Sequence, residues 1–95
     1  MATLTESNRM PLVLTYQARS RDWKSLQALS REKLVPLARE VGAQHYQLYR
    51  NTYDATQLLI VVEVPDREAG RELCQVLNDQ LAGGEPDSRL WEPCG

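Results

Sequence analysis

The sequence predicts one α+β domain with its elements in βαββαβ order. Three observations predict it. Segments with two-residue alternation recur along the chain, two apolar stripes at three- and four-residue steps lie between them, and one strand is apolar on both faces. Ninety-five residues with an apolar fraction of 42% suit a single domain with a small core. Residues 1–10 are polar and aperiodic and read as a disordered tail, which leaves 11–93 as the domain.

The first strand runs from Leu12 to Ala18. Leu12, Leu14, Tyr16 and Ala18 share one face, and Val13, Thr15 and Gln17 the other. Ser20 to Asp22 offers acceptors for the free N–H groups of a starting helix. Trp23, Leu26, Leu29, Leu34, Leu37, Ala38 and Val41 then form one stripe, closed by Gly42 as a C-terminal cap. Pro36 lies inside that stripe. A proline there loses a backbone hydrogen bond and crowds the preceding turn, so a kink or break is expected near Ser30 to Lys33, giving two helical pieces.

Gln44 to Asn51 reads as a second strand, in which His45, Gln47 and Tyr49 alternate with Tyr46, Leu48 and Arg50. Asn51 to Asp54 carries turn chemistry, and Gln57 to Val64 returns as a third strand. Asp66 caps a second helix whose stripe is Ala69, Leu73, Val76, Leu77 and Leu81, joined by Cys74. Gly83-Gly84 ends that helix, and Ser88 to Glu92 closes the chain as a fourth strand. This order is the split arrangement of ferredoxin-like folds with a four-stranded antiparallel sheet.

The third strand has a consequence for assembly. Leu58, Ile60, Val62 and Val64 can face the helices, but Leu59 and Val61 then point the other way. A sheet with one wet face alternates, and this one does not. Two helices cover one face only, so a second copy of the chain is expected against the other. Each fully buried Leu or Val contributes about 1.5–3 kcal/mol, set against a domain stability of about 5–15 kcal/mol.

Composition excludes several classes. A net charge of −2, a pI near 5.3 and scattered arginines argue against nucleic-acid binding. No apolar run approaches a membrane span. Cys74 and Cys94 with one histidine do not supply a structural metal site. The chain reads as cytoplasmic, with reduced thiols.

Several words of the sequence resemble a known group. Tyr46-x-Leu48-Tyr49-Arg50-Asn51, a following apolar strand and Asp66-x-Glu68-Ala69 resemble the antibiotic-biosynthesis-monooxygenase-like proteins of the dimeric α/β-barrel superfamily. Arg21-Asp22-Trp23-Lys24 and Glu85-Pro86-Asp87 look closer to a cyclase- or monooxygenase-type branch of that superfamily. The similarity spans Pro11 to Glu92. It implies a homodimer in which two four-stranded sheets face each other. It also implies activities such as cofactor-independent oxygenation of aromatic compounds, haem degradation or isomerisation of small metabolites. Haem degradation is set aside: the first strand has no asparagine, Val64 stands where that pattern has tryptophan, and the second helix has no histidine.

The candidate site residues follow. His45, the only histidine, is a general base or donor if functional, and polar filling on a strand if structural. Tyr16 faces the helices, so its buried hydroxyl needs a partner; with His45 it forms the catalytic pair to test. Trp23, Tyr46, Tyr49 and Trp91, with Tyr16, can line a flat-ligand cavity between sheet and helices, or simply fill the core and dimer seam. Arg50 with Asn51 can hold a carboxylate or phenolate, or Arg50 can pair with Glu63 or Asp54. Cys74 reads as core packing.

Two functions are carried forward. One is a cofactor-independent monooxygenase or isomerase/cyclase acting on a small aromatic or carbonyl metabolite. The other is a non-catalytic dimeric ligand-binding or interaction module. The expected partners are a second copy of the chain and a small aromatic ligand, with no bound cofactor, metal, nucleic acid or membrane.

Overall fold

A computed structural model describes residues 11–81 and 86–94. The 1–10 tail and the Gly83-Gly84 helix end lie outside the described residues. The elements are β1 (Leu12–Arg19), α1 (Trp23–Leu29), a π-helical turn (Ser30–Leu34), α2 (Val35–Glu40), β2 (Gln44–Arg50), β3 (Gln57–Val64), α3 (Arg67–Gln80) and β4 (Asp87–Trp91). The four strands form one antiparallel sheet in the order β2-β3-β1-β4. The expected ferredoxin-like arrangement is present.

Local chemistry explains the boundaries. Asp22 caps α1, its carboxylate accepting from Ser25 N–H at 3.0 Å, and Asp66 caps α3 by accepting from Ala69 N–H at 2.8 Å. Each such cap contributes about 1 kcal/mol. Gly42 takes φ +84°, and a side chain there would also press on the Pro65 ring at 3.3 Å. Asn51 Oδ1 accepts from Tyr53 N–H at 2.7 Å and makes the turn into β3.

Two irregularities mark the chain. The disturbance expected near Ser30 to Lys33 is present, with two α-helical pieces on either side of it, Trp23–Leu29 and Val35–Glu40. Its form is a widening into the π turn, where Val35 N–H donates to Ser30 five residues back, and Pro36 sits in the first turn of α2. The missing proline N–H is therefore taken up at a junction rather than by interrupting the helix. In β2 the ladder to β3 skips between Gln44 and Gln47, and His45 takes φ +57°. This bulge breaks the simple alternation of His45 with Gln47 and Tyr49.

The core lies between the helices and one face of the sheet. Leu14, Tyr16 and Ala18 of β1 pair with Val62, Ile60 and Leu58 of β3, and all six are buried. Leu26, Leu34 and Ala38 cover them from the first helical segment, and Ala69, Leu73 and Leu77 from α3. Val64 adds the last buried position of β3, whose pattern is buried at every second residue. Leu59 and Val61, on the opposite face, are half-buried.

That opposite face is open. It carries Val13, Thr15 and Gln17 of β1, paired with Glu63, Val61 and Leu59 of β3. Gln47 and Tyr49 continue it on β2, opposite Val61 and Leu59. Trp91 adds β4, its indole N–H donating to Thr15 Oγ1 at 2.8 Å. Tyr49 and Trp91 are each 50% exposed. No described helix is long and apolar enough to cross a membrane.

Candidate functional site

The sheet separates the sequence-predicted site residues into four places. Tyr16 is in the core, 0% exposed. Its hydroxyl donates to Asn78 Oδ1 on α3 at 2.8 Å, the partner its burial requires. Burial first, and a neighbouring Cys74 charge second, push its phenol above the ordinary value of 10.0. The phenol is therefore a donor at neutral pH.

Trp23 and Arg50 come together at one end of the sheet, the Arg50 guanidinium lying 5.0 Å from the Trp23 ring centre. The expected pairing of Arg50 with Asp54 does not form, because Arg19 holds Asp54 at 3.0 Å. Tyr46 faces the helices and shares a 2.7 Å hydrogen bond with Ser30 in the π turn. Burial raises its phenol too, with the Ser30 bond opposing.

His45 is exposed and borders a recess of about 250 Å³ with Arg39, Gln44, Tyr46 and the α2 residues Val35 and Ala38. It is on the edge strand β2, with β3 between it and Tyr16 on β1, so the two are not brought together. Tyr49 and Trp91 correct the idea of one aromatic cavity between sheet and helices. They project from the opposite face, because the register of β2 with β3 and of β4 with β1 puts them beside Leu59 and Val13. Tyr49, with Arg50, Asn51, Gln17 and Leu59, borders a recess of about 400 Å³ at the end of that face.

A further groove, of about 330 Å³, lies between α3 and β4. Leu14, Gly70 and Leu90 give it an apolar floor, and Arg67, Arg71, Cys74, Asn78 and Ser88 its polar wall. The helix approaches the strand closely at Gly70, where a methyl group would lie 3.1 Å from Leu90. The Cys74 thiol donates to Ser88 Oγ at 3.1 Å and ties helix to strand. This corrects the reading of Cys74 as plain core packing: it is half-buried and polar in its contacts. Asn78 links this wall to Tyr16. Among the described residues no group of three or more His, Cys, Asp or Glu side chains can hold a metal.

The sequence reading missed Arg67, Arg71, Asn78 and Ser88. The one signal pointing to them was the buried Tyr16 hydroxyl, whose partner had to come from the helix packed above it.

The fold is shared with solved structures of antibiotic biosynthesis monooxygenases, the group the motifs resemble. A Streptomyces coelicolor monooxygenase solved with nanaomycin D superposes with a TM-score of 0.68 at 18% identity, covering 92% of this chain and 90% of that one. An antibiotic biosynthesis monooxygenase superposes at 0.58 with 17% identity, covering 90% and 100%. A dimeric ferredoxin-like protein from an uncultured marine organism gives 0.64 at 7% identity, covering 97% and 95%. At these identities the likeness is one of fold. No family model and no curated protein matches the chain.

Proposed function

We propose that the chain is a small-molecule enzyme of oxygenase or isomerase type that works without a bound cofactor. Its substrate, a small aromatic or carbonyl compound, occupies the groove between α3 and β4. The observation that carries this reading is the contact of buried Tyr16 with Asn78 at 2.8 Å, which runs from the core to the groove wall. The fold shared with a monooxygenase solved with nanaomycin D supports it.

The chemistry fits the residues. Oxygenation without a cofactor, and isomerisation beside a carbonyl, both carry the substrate through an enolate or phenolate. Donors fixed around the developing negative oxygen lower the barrier to that anion. Arg67, Arg71, Asn78 and Ser88 form that donor set. Tyr16 orients Asn78 and takes no proton, and His45, on the far edge strand, stands outside the groove, so the substrate's acidic O–H gives its proton to solvent water and the compound binds as the anion.

The same reading includes a homodimer joined through the open sheet face. Leu59, Val61, Tyr49 and Trp91 supply the apolar contact, and the likeness to a dimeric ferredoxin-like protein supports the arrangement.

The test is turnover of a panel of dihydroxynaphthalenes, followed by oxygen uptake and product analysis. Removing one donor to an oxyanion costs about 10²–10³ in kcat, so Asn78→Leu should lose a factor of that order. Asn78 is exposed, and the fold should persist. Equal kcat for the variant and the wild type sinks the assignment. A second reading, a non-catalytic ligand-binding module, is favoured by the filled interior, where Tyr16, Leu34, Ile60 and Leu73 are all 0% exposed. Under it the panel binds and is recovered unchanged.

A further inference from the structure

We propose that the groove between α3 and β4 selects an anion: a flat apolar ring bearing an ionised oxygen, as carboxylate or phenolate. The inference rests on the site assignment above and adds what that site discriminates.

It follows from how the acceptors of the groove wall are occupied. Asn78 carries both an acceptor and a donor group, and its Oδ1 already receives the Tyr16 hydroxyl. The amide is thereby held with its NH2 turned the other way, 3.9 Å from Cys74 Sγ on the groove wall. Ser88 Oγ receives the Cys74 thiol, which leaves the Ser88 proton free for a ligand. Gln75, also on this wall, turns its NH2 to Asp79 at 3.2 Å and keeps Oε1 as an acceptor.

The charges point the same way. Arg67 and Arg71 stand one turn apart on α3 and both line the groove. Neither is in an ion pair among the described residues, where the pairs are Arg19 with Asp54 and Arg89 with Asp87. Asn78 Oδ1 and Ser88 Oγ each accept one hydrogen bond and one Asn78 N–H donates to Cys74 Sγ, while the second Asn78 N–H, the Ser88 proton and two positive charges remain available. Leu14, Gly70 and Leu90 offer apolar surface for a ring. A ligand oxygen that only accepts meets donors from Ser88, Asn78, Arg67 and Arg71, and an ionised one gains charge-assisted bonds. A neutral group that must also donate has only Gln75 Oε1 and the second lone pairs of Asn78 and Ser88 to turn to.

Tyr16 is in this account a positioning residue. With the Tyr16 hydroxyl removed, the Asn78 amide is free to turn its oxygen into the groove.

The test compares naphthalene-2-carboxylate with its neutral amide, naphthalene-2-carboxamide, by calorimetry near neutral pH, with 4-nitrophenolate as the phenolate arm. Backbone amide shifts at Asn78 and Ser88 report where each probe sits. The wild type should bind at least one of the two anions about tenfold or more tighter than the carboxamide, since hydrogen bonds to a charged group are worth more than neutral ones. Arg71→Gln, a change at an exposed position, should weaken the anion alone. Tyr16→Phe should narrow the ratio by strengthening the carboxamide, an effect that a purely structural loss does not produce. A wild-type ratio near one with shifts at Asn78 and Ser88 overturns the selectivity and leaves the groove as the site. If no probe shifts those amides, the inference and the site assignment fall together.

Discussion

Replacing Leu59 by lysine should turn a dimer into a monomer without unfolding it. Leu59 lies on the open face opposite Gln17 and Tyr49, half-buried in the single chain. In a two-fold dimer the substitution occurs twice at one interface. Each lost leucine forfeits about 1.5–3 kcal/mol of burial, and each lysine adds the cost of desolvating a charge. The dissociation constant should therefore rise by roughly a hundredfold or more. The helix-side core, with Leu58 and Ile60 fully buried, is untouched, so circular dichroism should stay native. Sedimentation at micromolar concentration checks this. A wild type already monomeric there, or an L59K dimer as tight as the wild type, removes the two-sheet assembly.

The second large effect separates the two roles of Tyr16. Its ring is fully buried between Leu14 and Ala18 of the same strand face, opposite Ile60. Tyr16→Ala opens a cavity in a small core and should cost about 3–5 kcal/mol. Tyr16→Phe keeps the ring and loses one hydrogen bond to the exposed Asn78, which water can replace. That change should cost about 0.5–1.5 kcal/mol. Urea unfolding of both variants measures the difference; equal costs would show that the hydroxyl, not the packing, dominates.

The raised phenol also has a pH signature. A group whose folded pKa lies above its unfolded value stabilises fully below the unfolded value, 10.0 for tyrosine, and loses that contribution as pH rises through the folded one. Tyr16 and Tyr46 share this sign. The alkaline loss of stability should therefore shrink in Tyr16→Phe and persist through Tyr46.

Most of the fold was legible because its signals are local. The caps at Asp22 and Asp66, the glycine at Gly42 and the asparagine turn at Asn51 each need only neighbours within a few residues. The two faces of β3 followed from the two-residue period of a strand, although its apolar run does not alternate. Pro36 signalled a disturbed helix, yet whether it breaks or widens depends on the bonds its neighbours find, here Val35 to Ser30.

The candidate site was legible in one respect only. A buried Tyr16 needed a partner, but nothing in the sequence marks Asn78 among the polar positions of α3. Its role comes from β1 and α3 packing across 62 residues of chain. Ser88 joins the groove because β4 pairs with β1 in the register that sets it opposite Tyr16. The aromatic set went the other way. Tyr49 and Trp91 suggested one cavity by type, while strand register sent them to the far face. The His45 bulge is a product of pairing between β2 and β3 and has no local signature.

On the proposed function, α3 and β4 hold the working groove. The most direct test of that placement is a backbone chemical-shift map of the wild-type protein titrated with naphthalene-2-carboxylate. The predicted result is saturable shifts at Gly70, Arg71, Cys74, Asn78 and Ser88, with little change elsewhere. Shifts gathered instead at Ala43 to Tyr46, or at Tyr49 to Thr52, would place the ligand in another recess and contradict the claim.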